Sequence, residues 1–445
     1  MAAISQASHA AALRVRSQSP SVSRSSGGSS CRQLLALATL LHAILNASAP
    51  SSVDLHPSCV TSARQSPSGA AFSRSFQSTT RQQACSSSRR QAALVHASTV
   101  ATDLKQVIQQ LIERKDLTQE QAQAAMEGLI AGAEAAQIGA FLVLLRAKGE
   151  TPEEVAGLAA AMRSMCVEVA AGDDTLDIVG TGGDGFDTVN ISTGACVLAA
   201  ACGAHVAKHG NRSVSSACGS ADVLEALNVE VDLGPQAVAR CVQEAGVGFM
   251  YAPRFHPAMR IVAPVRKALK VRTAFNLLGP MLNPSFAPYA LVGVFNPETV
   301  DLMARSLQRL GIRRALVVHS KGLDEISPMG PADMLEVTRD SVRPFRVDPL
   351  DYGIARCTIE DLKGGDKALN AQLLRDAFGG QQGAIADALV LNAGTGLAAC
   401  GVAKDVGEGI AMAQEAQRSG KAISVLDQWA ALSQELKKAE QLAVA

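Results

Sequence analysis

The chain has 445 residues with 41 basic and 41 acidic side chains, so its formal charge is zero, and 47% of it is hydrophobic but only 3% aromatic. That balance averages two unlike parts: the first hundred residues hold nine arginines, no lysine and the single acid Asp54, which leaves 32 basic and 40 acidic residues and a charge near −8 for the rest. An acidic body is a poor general nucleic-acid binder and requires that an anionic substrate be held by a local basic cluster or by metal ions.

Residues 1–100 are rich in Ser, Ala, Gln and Arg, the composition of an organelle transit peptide. Within them Leu34 to Ala49 is apolar, but it is shorter than the roughly 20 residues a spanning helix needs and too far from the start for a usual signal peptide. The expected address is the plastid stroma, with the mitochondrion as the alternative, and no membrane span is expected elsewhere. Of ten cysteines, Cys31, Cys59 and Cys85 lie in this segment. The remaining seven have no C-x-x-C spacing, which argues against a disulfide framework or a zinc site.

From Asp103 the pattern is helical. Leu104, Val107, Ile108, Leu111 and Ile112 share one face, and Thr118 to Gln121 and Thr151 to Glu154 read as capping boxes. Residues 101–170 are therefore expected to form a small α-helical domain of about four helices. At Leu176 the period changes, and short apolar strands alternate with helices: Leu176–Val179, Ala204–Lys208, Val229–Val231, Gly248–Tyr251, Tyr289–Val294 and Ala315–His319. Such alternation implies an α/β domain over 171–445 with a mainly parallel central sheet. The basic segment 256–272 interrupts the order and is expected to pack on the helical domain. Ala386–Leu391 reads as one more strand, followed by two or three helices.

Gly180-Thr-Gly-Gly-Asp184 follows a strand, and its glycines allow positive φ and close backbone approach to an anion. It lacks the lysine of a nucleotide P-loop and the spacing of a dinucleotide fingerprint. Asp184 beside a phosphate would be repulsive unless it meets a metal-bound water or a ribose hydroxyl. Asn190, Ser192 and Thr193 stand at the following helix start, where they serve equally as caps. Lys208, His209, Asn211 and Arg212 form a second anion loop at a strand end, and Ser220 opens the next helix. Adjacent Asp324 and Glu325 after the strand Ala315–His319 suit a hard cation bridging protein to phosphate oxygens. Arg254, Arg260, Arg266, Lys267, Lys270 and Arg272 are the densest positive cluster beyond residue 100, and an arginine there matches a carboxylate.

These blocks, together with Ala136-Gln-Ile-Gly-Ala-Phe141, Lys148-Gly-Glu-Thr-Pro-Glu-Glu154, Gly219-Ser-Ala-Asp222, His256-Pro-Ala-Met259, Phe275-Asn-Leu-Leu-Gly-Pro280 and Leu362-Lys-Gly-Gly-Asp366, resemble the anthranilate phosphoribosyltransferases over roughly residues 103–430. The resemblance implies the fold of the nucleoside phosphorylase and phosphoribosyltransferase type, a small α-helical domain joined to a larger α/β domain, usually as a homodimer. It implies that Gly180, Gly183, Asp184, Thr188, Asn190, Ile191, Ser192, Thr193, Lys208, His209, Gly210, Asn211, Arg212, Ser213, Val214, Ser215, Ser216 and Ser220 hold phosphoribosyl pyrophosphate. It assigns two Mg²⁺ ions to Ser192, Asp324 and Glu325, and anthranilate to Gly180, Asn211 and Arg266 with His209, His256 and Pro280 nearby. Ser216-Ala217-Cys218 and Asn392-Ala-Gly-Thr-Gly396 depart from the family pattern.

The implied reaction is attack of the anthranilate amine on the anomeric carbon of phosphoribosyl pyrophosphate, with Lys208 as an electrostatic stabiliser and no general base assigned. Two other readings stand beside it. One is a pyrimidine nucleoside phosphorylase-like enzyme, disfavoured by the Asn190–Thr193 and Leu323–Glu325 blocks, and the other is a non-catalytic nucleic-acid-binding relative, disfavoured because Arg266 and both acids are present.

Overall fold

The computed structural model of the protein describes residues 103–213 and 217–444. The expectations for residues 1–100 and for Val214, Ser215 and Ser216 fall outside the described residues.

Four helices come first: α1 (Leu104–Ile112), α2 (Gln119–Ile130), α3 (Ala135–Lys148) and α4 (Pro152–Ser164). Thr118 Oγ1 accepts from Gln121 N while the Gln121 side chain accepts from Thr118 N, which closes the capping box of α2. The second box, Thr151 with Glu154, carries a further duty. Glu154 is fully buried and also accepts from Leu117 N (2.9 Å) and Lys148 Nζ (3.0 Å), so the Lys148–Glu154 block pins α2, α3 and α4 together. Gly157 makes the crossing of α2 and α4 tight, since a Cβ there would lie 2.2 Å from Gln119 O.

The α/β part runs β1 (Leu176–Gly180), α5 (Ile191–Ala201), β2 (Val206–Gly210), α6 (Ser220–Ala226), α7 (Pro235–Ala245), β3 (Val247–Tyr251), α8 (Ala252–Phe255), α9 (Met259–Leu269), α10 (Phe275–Leu278), β4 (Tyr289–Gly293), α11 (Val300–Arg309), β5 (Arg314–His319), β6 (Ala332–Thr338), β7 (Val342–Val347), α12 (Lys367–Phe378), α13 (Ala384–Cys400), α14 (Val406–Arg418) and α15 (Lys421–Val444). The sheet order is β3-β2-β1-β4-β5-β6-β7, parallel through β5 and antiparallel for the last two strands. Strand alternation divides the core: Leu176, Ile178, Leu291 and Leu316 face the cluster under α5 and α13, while Ala290, Val292, Ala315 and Val317 face the cluster formed with α1 to α4. The helical part thus has no core of its own separate from the sheet. Helix α9 joins the same cluster through Val262 and packs on α3, where Val265 and Leu269 approach Gly139.

Two sequence-based expectations are corrected, and two strands are added. Ala386–Leu391 is not a strand but part of α13, a helix buried on nearly every side and therefore without the 3.6-residue period that would have marked it. Val229–Val231 is buried but lies outside the sheet, because its surroundings take its polar groups: Glu230 N donates to Ser433 Oγ (2.9 Å) and Gly234 N to Glu440 Oε1 (2.8 Å) on α15. Strands β6 and β7 were not foreseen; Asp333, Glu336, Arg343 and Pro344 interrupt their apolar pattern, and Glu336 ion-pairs with Arg314 and Arg343 on the strands flanking it.

Candidate active site

Parallel strands deliver their following loops to one edge of a sheet, and β1, β2, β4 and β5 all end there. The strand ends Gly180 and Gly293 are register partners on β1 and β4. Side by side they form a trough that a third segment fills: a Cβ on Gly180 would meet Asp324 Oδ2 at 2.3 Å, and one on Gly293 would meet Asp324 O at 1.5 Å. Asp324 Oδ2 in turn accepts from Gly182 N at 2.6 Å. Gly293 is a site residue that sequence reasoning missed, since a lone glycine ending a strand carries no signal without its register partner.

The glycine loop leaves this trough through positive φ at Gly182, Gly183, Gly185 and Asp187, a path open chiefly to glycine. Arg272 holds it from outside by donating to Gly183 O while its guanidinium lies 3.9 Å from the centre of the Phe295 ring. Thr188 and Val189 zip onto the segment 362–364, where Val189 N donates to Leu362 O and Gly364 N to Asp187 O. Asn190 then bridges three segments: its amide donates to Cys218 O (3.0 Å), and its carbonyl accepts from Asn370 (2.9 Å), which also accepts from Gly365 N (2.8 Å). Thr193 donates to Ser220 Oγ (3.0 Å), joining the starts of α5 and α6.

Lys208 is buried at 2% exposure, which an ammonium tolerates only with partners. Its Nζ donates to Ile178 O at 2.7 Å and reaches Ser192 Oγ at 3.5 Å. Glu325 Oε1 accepts from Ser192 N (3.3 Å), so the first residues of α5, Lys208 and the acidic pair meet in one place. Burial, and then the charge of Asp184, raises Asp324 to about 6; burial, and then Asp324, raises Glu325 to about 8, with Lys208 opposing the latter. Too much negative charge is confined here for one lysine, which is the electrostatic condition that a divalent cation satisfies. No three His, Cys, Asp or Glu side chains converge as a ready ion cage among the described residues. A cation here would therefore complete its shell with hydroxyl, water or ligand oxygens, and Ser192, Asp324 and Glu325 fit that sharing.

His209 and His256 stack edge to face, 5.1 Å apart. Nδ1 of His209 is 3.3 Å from Gly279 O and Nε2 of His256 is 2.8 Å from Leu282 O, so both rings rest against the segment that contains buried Pro280. Burial, reinforced by His256, pushes His209 down to about 3, and burial also lowers His256. Both are neutral at physiological pH. Behind them Asp177, raised to about 6 by burial, accepts from His209 N (3.4 Å) and Asn283 Nδ2 (2.7 Å). Arg266, in the last turn of α9, sits 4.9 Å from the centre of the Phe275 ring and has no carboxylate partner among the described residues. Asn211 is turned inward on its own loop, its Oδ1 accepting from Arg212 N. Arg212, expected in the second anion loop, has its guanidinium on Glu225 and Asp222, a pairing that shapes that loop. Ser213 N and Gly219 N both donate to Asp222, which closes that loop at its other end. Asn392 on α13, also missed, fixes the loop after the acids by accepting from Ile326 N (3.1 Å) and donating to Ile326 O (2.7 Å).

The chain matches a glycosyl transferase family helical bundle domain over residues 105–166 and a glycosyl transferase family a/b domain over residues 172–423. It is 44% identical over 335 residues to the anthranilate phosphoribosyltransferase of Chlamydia felis, covering 75% of this chain and 98% of that protein. With the anthranilate phosphoribosyltransferase of Mesorhizobium japonicum the identity is 47% over 318 residues, covering 71% and 95%. Among solved structures, the Thermus thermophilus anthranilate phosphoribosyltransferase superposes with a TM-score of 0.70 at 43% identity, covering 74% of this chain and 99% of that one. The Saccharomyces cerevisiae protein, solved with phosphoribosyl pyrophosphate and Mg, shares the fold at 24% identity and a TM-score of 0.69, covering 75% and 98%.

The acids have ordinary values of 3.8 and 4.5, so between about pH 4 and 8 the native state binds more protons at Asp324 and Glu325 than the unfolded chain does. Stability of the metal-free protein therefore falls as pH rises through that window. A bound divalent cation removes the penalty, so the rise in melting temperature on adding Mg²⁺ is expected to be larger at pH 8 than at pH 5.5. Asp324→Asn with Glu325→Gln is expected to abolish that difference; calorimetric shifts that are equal at both pH values would separate these acids from the ion.

Proposed function

The chain belongs to the anthranilate phosphoribosyltransferase family, and we infer from this that it transfers the 5-phosphoribosyl group of phosphoribosyl pyrophosphate to the amine of anthranilate in tryptophan biosynthesis. The observation that carries the reading in the molecule itself is the trough of Gly180 and Gly293 with Asp324 seated in it, Glu325 on the first turn of α5, and Lys208 beneath. This is a site for a polyanion bound through a cation, at the sheet edge where two glycine-bounded loops converge.

In the reaction the amine nitrogen bonds to the anomeric carbon as the carbon–oxygen bond to pyrophosphate breaks, and the amine gives up a proton. An aromatic amine is a weak nucleophile, so stabilising the departing pyrophosphate and the positive character of the ribosyl ring matters most. Mg²⁺, two ions per site in this proposal, would be held by Ser192, Asp324 and Glu325, and supplies charge neutralisation to the pyrophosphate. Lys208 adds a fixed positive charge that its carbonyl partner holds in place. The amides of the loop after Gly180 are aimed by the path that Arg272 and the segment 362–364 impose. Arg266, unpaired and steadied on Phe275, is the group for the anthranilate carboxylate. His209 and His256 stay neutral and so add no competing charge between the two substrates.

Loss of anthranilate fluorescence in the presence of phosphoribosyl pyrophosphate and Mg²⁺ measures turnover directly. Asp324→Asn with Glu325→Gln is expected to reduce it by at least about a hundredfold while the protein stays folded. Wild-type protein that is folded yet silent in this assay, or that instead cleaves a pyrimidine nucleoside with phosphate, would overturn the reading.

The protein is also proposed to act as a homodimer through its helical part. Ala135, Ala136, Gly139, Ala140 and Val143 of α3 form an open apolar groove with Pro264, Val265, Ala268 and Leu269 of α9, and Val143 and Ile261 remain about 40% exposed. Such a surface is costly to leave in water. Val143→Lys is expected to shift the sedimenting species from dimer to monomer; a wild-type monomer would refute the arrangement.

The composition of residues 1–100 supports delivery to the plastid stroma. Fused to a fluorescent protein, this segment is expected to accumulate in chloroplasts, and a mitochondrial or cytosolic signal would reject that address.

A further inference from the structure

A cavity of about 340 Å³ lies at the opposite edge of the sheet from the candidate active site, among the residues that precede β1, β4 and β5. Three arginines line it: Arg163 at the end of α4, Arg313 before β5 and Arg339 in the turn between β6 and β7. None of them is ion-paired with a carboxylate among the described residues; the Arg313 guanidinium donates to Asp173 O and the Tyr289 hydroxyl. The two acids on the same wall offset them only in part, since Asp173 is exposed to solvent and bears on Arg313, and Asp177 is engaged by Asn283 and His209 N. In a chain whose body is acidic, three guanidinium groups around one cavity, none of them in contact with a carboxylate, are an anion site.

The rest of the lining says what kind of anion. Arg163 is half-buried, and its guanidinium lies 4.6 Å from the centre of the Phe286 ring, which leaves its donor edge for a ligand. Phe286 is 37% exposed and is held at φ 53°, a region that a bulky side chain adopts only under constraint. Met281, Leu307 and Leu310 complete an apolar wall that a bare inorganic anion would leave unused. We propose that this cavity is an accessory binding site for a small aromatic carboxylate, its carboxylate on Arg163 and its ring against Phe286 and the apolar wall.

The site is wired to the catalytic cleft by position. The segment from Gly279 to Asn283 separates them: Pro280, Met281 and Asn283 line the cavity, while Gly279 O and Leu282 O meet His209 and His256 on the cleft side. Asn283 also donates to Asp177 and to Ala207 O, so a ligand in the cavity bears on the base of the Lys208 loop. Occupancy is therefore expected to change the apparent KM for anthranilate more than kcat.

Titration calorimetry with benzoate, anthranilate and L-phenylalanine, using the full chain without phosphoribosyl pyrophosphate, tests the site. Benzoate binding is expected to survive Arg266→Gln, which disables the carboxylate position of the cleft, and to weaken at least about tenfold in Arg163→Gln. Arg339→Gln, at an exposed turn, is expected to act in the same direction and guards against a folding defect in the first variant. Methyl benzoate, which lacks the charge, is expected to give no heat. Within the same chemistry, tighter binding of anthranilate identifies the substrate as the natural ligand, and tighter binding of L-phenylalanine identifies an aromatic amino acid. Binding that is lost in Arg266→Gln and retained in Arg163→Gln places the carboxylate in the cleft alone and overturns the proposal, as does no heat from any carboxylate. Either failure leaves the transferase activity, measured separately, untouched.

Discussion

The arrangement depends on one close approach, the seating of Asp324 against the paired strand ends Gly180 and Gly293. Any side chain at either glycine would push the acidic loop off the sheet edge. With the loop in place, a buried carboxylate accepts from the glycine loop through Gly182 N, so the same contact fixes the acid and sets the direction in which that loop departs. Leaving Asp324 and Glu325 this deep costs stability as they ionise, and the fold tolerates it because Lys208 and, in the proposed complex, a divalent cation oppose the charge. Strained electrostatics at the strand ends and regular packing beneath them are two sides of one design.

The division of the sheet's two faces explains why the cleft can be placed at all. Alternate residues of β4 and β5 feed separate apolar clusters, and one of those clusters continues into α1 to α4 and α9. Arg266 on α9 is thereby set by the same packing that orders β4, rather than by a flexible connection. The Lys148–Glu154 block serves this framework. Its buried Glu154 has three helices to satisfy and no ligand to meet, even though the block is among the more recognisable parts of the chain.

Much of the fold was legible because its signals are local. Capping boxes, strand–helix alternation and the two glycine-bounded loops can each be read within a few residues, and the helical and α/β parts with their mainly parallel sheet follow from them. What escaped was either uniform or remote. Helix α13 is apolar all round, so its first turns read as a strand; β6 and β7 are broken by charged residues whose partners lie across the ladder. At the site, Gly293, Asn370 and Asn392 act through contacts with segments distant in the chain, and nothing in their neighbourhoods announces those partners. The ion pairs of Arg212 were hidden for the same reason: its charge is visible in the sequence, while Glu225 and Asp222 become its partners only when α6 folds beside it.

Arginine placement separates structure from recognition in this molecule. Arg212, Arg254 and Arg314 are matched to carboxylates, which is the expected state of a cation in an acidic chain. Arg266 and Arg163 are instead laid against phenylalanine rings, half-withdrawn from water and without a carboxylate among the described residues. A ring face steadies a guanidinium without neutralising it, so the donor edge stays available and the loss of hydration makes a bound carboxylate more favourable. The same two-residue device stands on both sides of the segment Gly279–Asn283, once toward the cleft and once toward the cavity below the sheet. Arg272 on Phe295 and Arg313 on Tyr289 also lie over rings, but their guanidinium groups donate to Gly183 O and to Asp173 O, whereas those of Arg163 and Arg266 keep the donor edge that the two proposed aromatic-acid positions require.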